Sequence, residues 1–207
     1  GLNETIACGA VEDIRRVVQF ESAFAYQMTE VPFNARYNAI PVLLNTAVGN
    51  PEHGAEEAML LPAARAAVEV GGFLGYHNYV PIIGDKSWLE SDWEHYAGRW
   101  TAWDAIFRAQ GVKPRYLLTE SGPIGGENHG GVPYLTADAG WRSPRCLNGD
   151  WNRTMEAILR GDQLAHASVA GQEGRFWGAM LFTVGRGMNW KHFEFHRQEF
   201  ESLAQAL

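Results

Sequence analysis

The sequence predicts an α/β fold built on a parallel sheet, and three observations carry that expectation. Strand-like and helix-like segments alternate along the whole chain, giving about five βα units. The segments that follow strands are long (45–56, 77–91, 121–149 and 185–192), whereas those that precede strands are short (111–114 and 171–176). Such asymmetry collects polar and aromatic residues on one functional face, at the carboxyl ends of the strands. Finally, 46% hydrophobic and 20% charged residues in a chain of 207 suit a packed domain rather than a disordered segment.

The elements come in order. Val11, Ile14, Val18, Ala25 and Met28 recur at helical spacing, with Val17, Phe20 and Phe24 widening the stripe. Ala39–Thr46 is an apolar run the length of a buried strand. Glu56–Val70 is Ala-rich and helical, with Pro62 suited to the first turn of its second part and Gly71-Gly72 as the stop. Phe73–Val80 is a strand. Ser91-Asp92-Trp93-Glu94 has the form of a capping box, and it predicts a helix with Trp93, Tyr96, Trp100, Trp103 and Phe107 on its buried face. Arg115–Thr119 is the next strand, and the Gly- and Pro-rich stretch 121–149 is predicted as a long loop. Asp150 caps a helix carrying Trp151, Met155, Ile158 and Leu159. Trp177–Val184 is a strand, and Phe200, Leu203, Ala204 and Leu207 mark a last helix. No internal repeat or linker divides the chain.

Composition also excludes classes. A formal charge of −7 argues against binding nucleic acid through its phosphates. No apolar run reaches the ~18 to 20 residues of a membrane helix. Two cysteines, Cys8 and Cys146, are too few for a disulfide scaffold or a thiolate zinc site. Eight tryptophans offer flat apolar surfaces of the kind that pack on sugar rings.

Two carboxylates stand out because each falls at a predicted strand end: Glu4, after Asn3, and Glu120, in Thr119-Glu120-Ser121-Gly122. A carboxylate there does nothing for the core and points to catalysis or ligand binding. His77 and Tyr79, two residues apart on one strand, share a face and fall at another predicted strand end.

Asn-Glu at one strand end and Thr-Glu-Ser-Gly at another, 116 residues later, resembles the retaining glycoside hydrolases of clan A. The resemblance implies a (β/α)8 (TIM) barrel, present as a partial barrel of about strands four to eight, with residues 1–207 forming its C-terminal portion. It implies Glu120 as nucleophile and Glu4 as acid/base. Tyr79 is then a donor to Glu120, and His77 a substrate or supporting contact. Asn3 binds the hydroxyl next to the reactive carbon, Trp190 floors the sugar, and Trp141 and Trp88 line further subsites. A retaining site needs its two carboxyl groups ~5 to 5.5 Å apart. The charge of Glu120 keeps the proton on Glu4 until the glycosidic bond breaks. No cofactor or metal is required; the expected partner is a carbohydrate, with no nucleic acid or membrane. A whole barrel has ~250 residues, so roughly 100 more are expected upstream of Gly1, completing the barrel in cis.

Competing motifs are weaker. His192 and His196 lie four apart, but Glu194 is not at the position a zinc-protease helix requires. Glu127-Asn128-His129 reads as a polar loop. The glycines 122–126 lack the Lys-Ser/Thr of a nucleotide loop. The alternative from another class is a non-catalytic carbohydrate-binding barrel or an inactive fragment.

Overall fold

The computed structural model describes residues 6, 9–30, 37–84, 86–87, 93–130, 132–182 and 191–206. The first helix, α1 (Val11–Glu30), buries Ile14, Val18 and Ala25 along the predicted stripe. β1 (Val42–Thr46) comes next, then two short helices, α2 (Ala55–Ala58) and α3 (Leu61–Glu69). The break between them falls just before Pro62, which occupies the first turn of α3. Ala63, Ala64, Ala66 and Ala67 are all buried, and their small side chains let α3 pack closely against α1 and the sheet.

β2 (Phe73–Ile83) runs on through Pro81 and pairs with β3 (Lys86–Ser87). A short 3-10 turn, Trp93–His95, precedes α4 (Arg99–Ala109). Ser91 and Asp92 lie outside the described residues, but 93–98, predicted as the first turns of the helix, form a 3-10 turn and a further turn instead. The Trp93 ring folds over Gly98, where any Cβ would lie 2.0 Å from its indole nitrogen, and the helix begins only beyond that contact. Then come β4 (Arg115–His129), β5 (Val132–Gly140), α5 (Trp151–Ala167), α6 (Val169–Gln172), β6 (Phe176–Leu181) and α7 (Arg197–Ala206). Asp150 caps α5 as expected, accepting from the Arg153 amide at 3.1 Å.

These elements correct the predicted fold class. The α/β assignment stands, but the sheet is mixed and not the all-parallel barrel that was expected. β1, β2, β4 and β6 are parallel neighbours in that order, while β3 pairs antiparallel with β2 and β5 antiparallel with β4. The departure comes from 121–149, expected as a loop. There β4 continues for 15 residues in all and turns back into β5 through Gly130, which has φ +63°. Its glycines serve a close approach of backbones. A Cβ at Gly126 would lie 1.9 Å from the Tyr134 carbonyl, and one at Gly125 would lie 2.2 Å from that of Arg145.

One face of the sheet carries the main core, where Leu43, Leu74, Tyr76, Tyr116, Leu118 and Phe176 meet Trp100, Trp103 and Phe107 of α4. Trp100 lies nearly parallel to Phe176, and Trp103 meets Tyr76 edge-on. Toward the carboxyl ends of the strands, Val80 and Ile82 pack with Trp141, Leu147, Ala157 and Phe195.

A buried ion pair ties α4 to β4 and β6. Arg175 reaches Asp104 with two nitrogens, at 2.5 and 2.9 Å, and also donates to the Pro114 carbonyl. Tyr116 donates to the same carboxylate at 3.2 Å, and Arg108 completes its shell at 2.8 Å. Burial, and then the adjacent Asp104, push the Tyr116 phenol well above its ordinary range, so it remains a donor. Removing Asp104 would strand a buried guanidinium. Asp104→Ala is expected to cost about 3–5 kcal/mol in urea unfolding. Arg108→Ala, at the half-exposed edge of the cluster, is expected to cost under about 1 kcal/mol.

Candidate active site

β2 presents alternate residues to alternate faces. Tyr76, Asn78 and Val80 point toward the helices, and His77 and Tyr79 point to the opposite side. Glu120 joins the latter pair. The Tyr79 hydroxyl donates to Glu120 Oε2 at 2.8 Å, and His77 Nδ1 lies 3.5 Å from the same oxygen. His77 is fully buried and Tyr79 nearly so, whereas the Glu120 side chain keeps 24% of its surface open. Phe182 and Phe193 meet the Tyr79 ring edge-on and fix it in place. The structure thus brings together three of the residues singled out from sequence, with the donor expected of Tyr79.

Glu120 faces this way because β4 carries one residue more than β2 can match. Tyr76 pairs with Leu118 and His77 with Glu120, leaving Thr119 as a bulge. A matching irregularity lies on the other side of β2, where Leu43 pairs with Leu74 and Thr46 with Tyr76. Within it Leu44 adopts φ +68°, a costly conformation for a non-glycine residue. The two irregularities meet across β2, as Thr119 Oγ1 donates to Asn45 Oδ1 at 2.5 Å. The bridge passes over Gly75, where a Cβ would lie 2.4 Å from Asn45 Oδ1. Asn45, Thr119 and Gly75 are the site residues that sequence reasoning missed. A glycine inside an otherwise apolar strand, Phe73-Leu74-Gly75-Tyr76, was the available signal.

The loop after β1 is held by two buried carboxylates. Glu56 accepts from the amides of Gly9, at 2.7 Å, and Glu52, at 2.9 Å. Glu57 accepts from the Gly54 amide and pairs with His53 at 2.9 Å. Arg99 is buried against the Pro51 and His95 carbonyls. Both Glu56 oxygens and Glu57 Oε2 accept backbone amides, so the cluster acts as a latch on the loop.

Three expectations change or fall elsewhere. Glu120 does not end its strand, because β4 runs nine residues further, to His129. Trp141, expected at a subsite, is 1% exposed. It is stacked on Phe195, tilted against Trp151 and covered by the Arg142 guanidinium at 4.0 Å, which leaves no ring face for a ligand. Asn3, Glu4, Trp88 and Trp190 lie outside the described residues, as does Cys8. Cys146 is a buried free thiol, and burial pushes its pKa up to about 12. No group of three or more metal-ligating side chains occurs among the described residues.

Gly75→Ala tests the bridge. It is expected to destabilise the fold by about 1–3 kcal/mol, as overpacking does. Thr119→Val, which keeps the shape and loses the hydroxyl, is expected to cost about 1 kcal/mol, the worth of one hydrogen bond. Thermal melts of both variants measure the difference. Comparison with known proteins returned no match to any family model, curated protein or solved structure.

Proposed function

We propose that this chain is a retaining glycoside hydrolase with Glu120 as nucleophile and Glu4 as acid/base. The observation that carries the reading is the asymmetric anchoring of Glu120. Oε2 is held by Tyr79 and faces His77, whereas Oε1 has no partner among the described residues and belongs to a part-exposed side chain. A carboxylate fixed by one oxygen presents the other in a defined direction, which is what nucleophilic attack on a sugar carbon needs.

Glu120 Oε1 attacks the anomeric carbon as the glycosidic C–O bond breaks, and Glu4 passes its proton to the departing oxygen. The product is a glycosyl ester on Glu120. Water then attacks the same carbon, Glu4 takes up its proton, and the ester C–O bond breaks to restore both carboxyl groups. Tyr79 holds Oε2 through both steps, and buried His77 keeps water away from the back of the carboxylate.

The acid/base assignment rests on the resemblance of Asn3-Glu4 and Thr119-Glu120-Ser121-Gly122 to the clan A motifs. Glu4 itself lies outside the described residues; Gly9, five residues further on, donates its amide to Glu56 of α2, which follows the loop leaving the carboxyl end of β1. The proposal needs neither a closed barrel nor a metal. The partner is a carbohydrate.

The test is covalent trapping. A panel of activated 2-deoxy-2-fluoroglycosides is expected to add one fluorosugar to Glu120, located by peptide mass spectrometry, and to leave Glu120→Gln unmodified. On aryl glycosides Glu120→Gln should lose about 10⁴-fold or more in kcat. Tyr79→Phe should lose about 10- to 100-fold, the equivalent of one hydrogen bond to a charged group. A protein that binds sugars on this face but neither labels nor turns them over would be a carbohydrate-binding module, and the proposal would fall.

A further inference from the structure

We propose a second binding site, on the opposite side of the sheet from Glu120, for an uncharged amphipathic molecule with a hydroxyl head. A cavity of about 550 Å³ lies there between the strands β2, β4 and β6 and the helices α5 and α7. That volume is within the range of sites for small organic ligands, ~300 to 1,000 Å³. Its walls are apolar, with Val80, Leu118, Ile158, Leu181 and Leu203 among them. Small residues make the room: Ala157 and Gly161 on α5 face Gly178 and Ala179 on β6. It opens beside β6, where Ala179 is exposed.

One end of the cavity is polar. Asn78 and Ser121 are register partners on β2 and β4, and both line it. The Ser121 hydroxyl turns away to the Asn78 backbone carbonyl at 3.3 Å. The Asn78 side chain is 2% exposed, and its Oδ1 has no hydrogen-bond partner among the described residues. A buried carbonyl left without a donor is costly, so an apolar cavity with such a group at its end asks for a ligand that brings a donor to it. Asp162, the carboxylate in the lining, is half-exposed and faces His166 at 3.7 Å; its charge disfavours an anionic head. An alkylphenol or a medium-chain alcohol meets all three demands: an apolar body, no charge and a hydroxyl donor.

The probe pair is 4-butylphenol and 4-butylanisole, which differ by one O-methyl group that removes the hydroxyl donor. Titration calorimetry on the wild-type chain is expected to show saturable phenol binding, about tenfold tighter than the anisole, the worth of one hydrogen bond. In Asn78→Leu that preference should vanish. In Ala157→Phe, which fills the cavity, both ligands should lose binding. Glu120→Gln keeps an oxygen for Tyr79 to donate to and so leaves the β2–β4 register in place; it should bind the phenol as wild type does, which separates this site from the proposed catalytic one. Equal affinity for the two probes would mean that water already satisfies Asn78, and the proposal would fail. So would an absence of saturable binding up to about 1 mM, the weak end of small-molecule affinity, or unchanged binding in a folded Ala157→Phe protein.

Discussion

The bulge at Thr119 is the constraint on which the candidate site depends. Side chains alternate along a strand, so a one-residue slip moves every later residue to the other face. Without the extra residue, Glu120 would pair with Asn78 and point into the apolar layer beside Val80 and Leu118. With it, Glu120 pairs with His77 and meets the Tyr79 hydroxyl. A bulge also has to be kept from sliding. Asn45 does this by accepting from Thr119 across Gly75, from a strand that itself deviates at Leu44. The strained backbone at Leu44 and the absent side chain at Gly75 are parts of one device, which aims a single carboxylate.

The two ends of the parallel strands are stabilised differently. Near the amino ends, Asp104, Arg175 and Tyr116 form a closed set of charge-assisted bonds that joins a helix to two strands. Breaking such a set leaves an unpaired buried charge, so it makes the packing of these elements all-or-none. Near the carboxyl ends the buried acids do another job. Glu56 and Glu57 accept backbone amides from Gly9, Glu52 and Gly54 and hold an irregular loop in a single shape. Loops that carry a site have few backbone partners of their own, and buried side-chain acceptors supply the missing ones.

How much could be read from sequence depended on how local the cause was. The α1 stripe, the break at Pro62, the Asp150 cap and the burial of Trp100 and Trp103 each depend on residues within a turn or two, and each was legible. The shared face of His77 and Tyr79 was legible too, because a two-residue spacing fixes a face, whereas their meeting with Glu120 was expected only from the resemblance. Causes lying far apart in the chain were not. Trp141 looks like an exposed loop ring until Trp151 and Phe195 arrive to cover it. The glycines at 125 and 126 look like loop residues until Arg145 and Tyr134 show whose backbone they admit. The barrel expectation fell with them, since a Gly-rich loop and a glycine-permitted hairpin have the same composition. The better clue was the pair Gly130-Gly131 between His129 and Val132, a two-residue connection of the length that antiparallel strands favour.

Alternation also links the two faces of the sheet. Asn78 sits between His77 and Tyr79 in β2, and its partner Ser121 comes directly after Glu120 in β4. The groups that hold the carboxylate and the amide that ends the cavity are therefore consecutive residues of the same two strands. Any shift of β2 against β4 would move the Tyr79–Glu120 bond and the Asn78–Ser121 pair together. Packed strands do not deform smoothly; they hold one register or change to another. A molecule seated against Asn78 would thus hold the register that also aims Glu120. The physical basis for such coupling is the β2–β4 pairing itself, bulge included, and no longer path through the protein is needed.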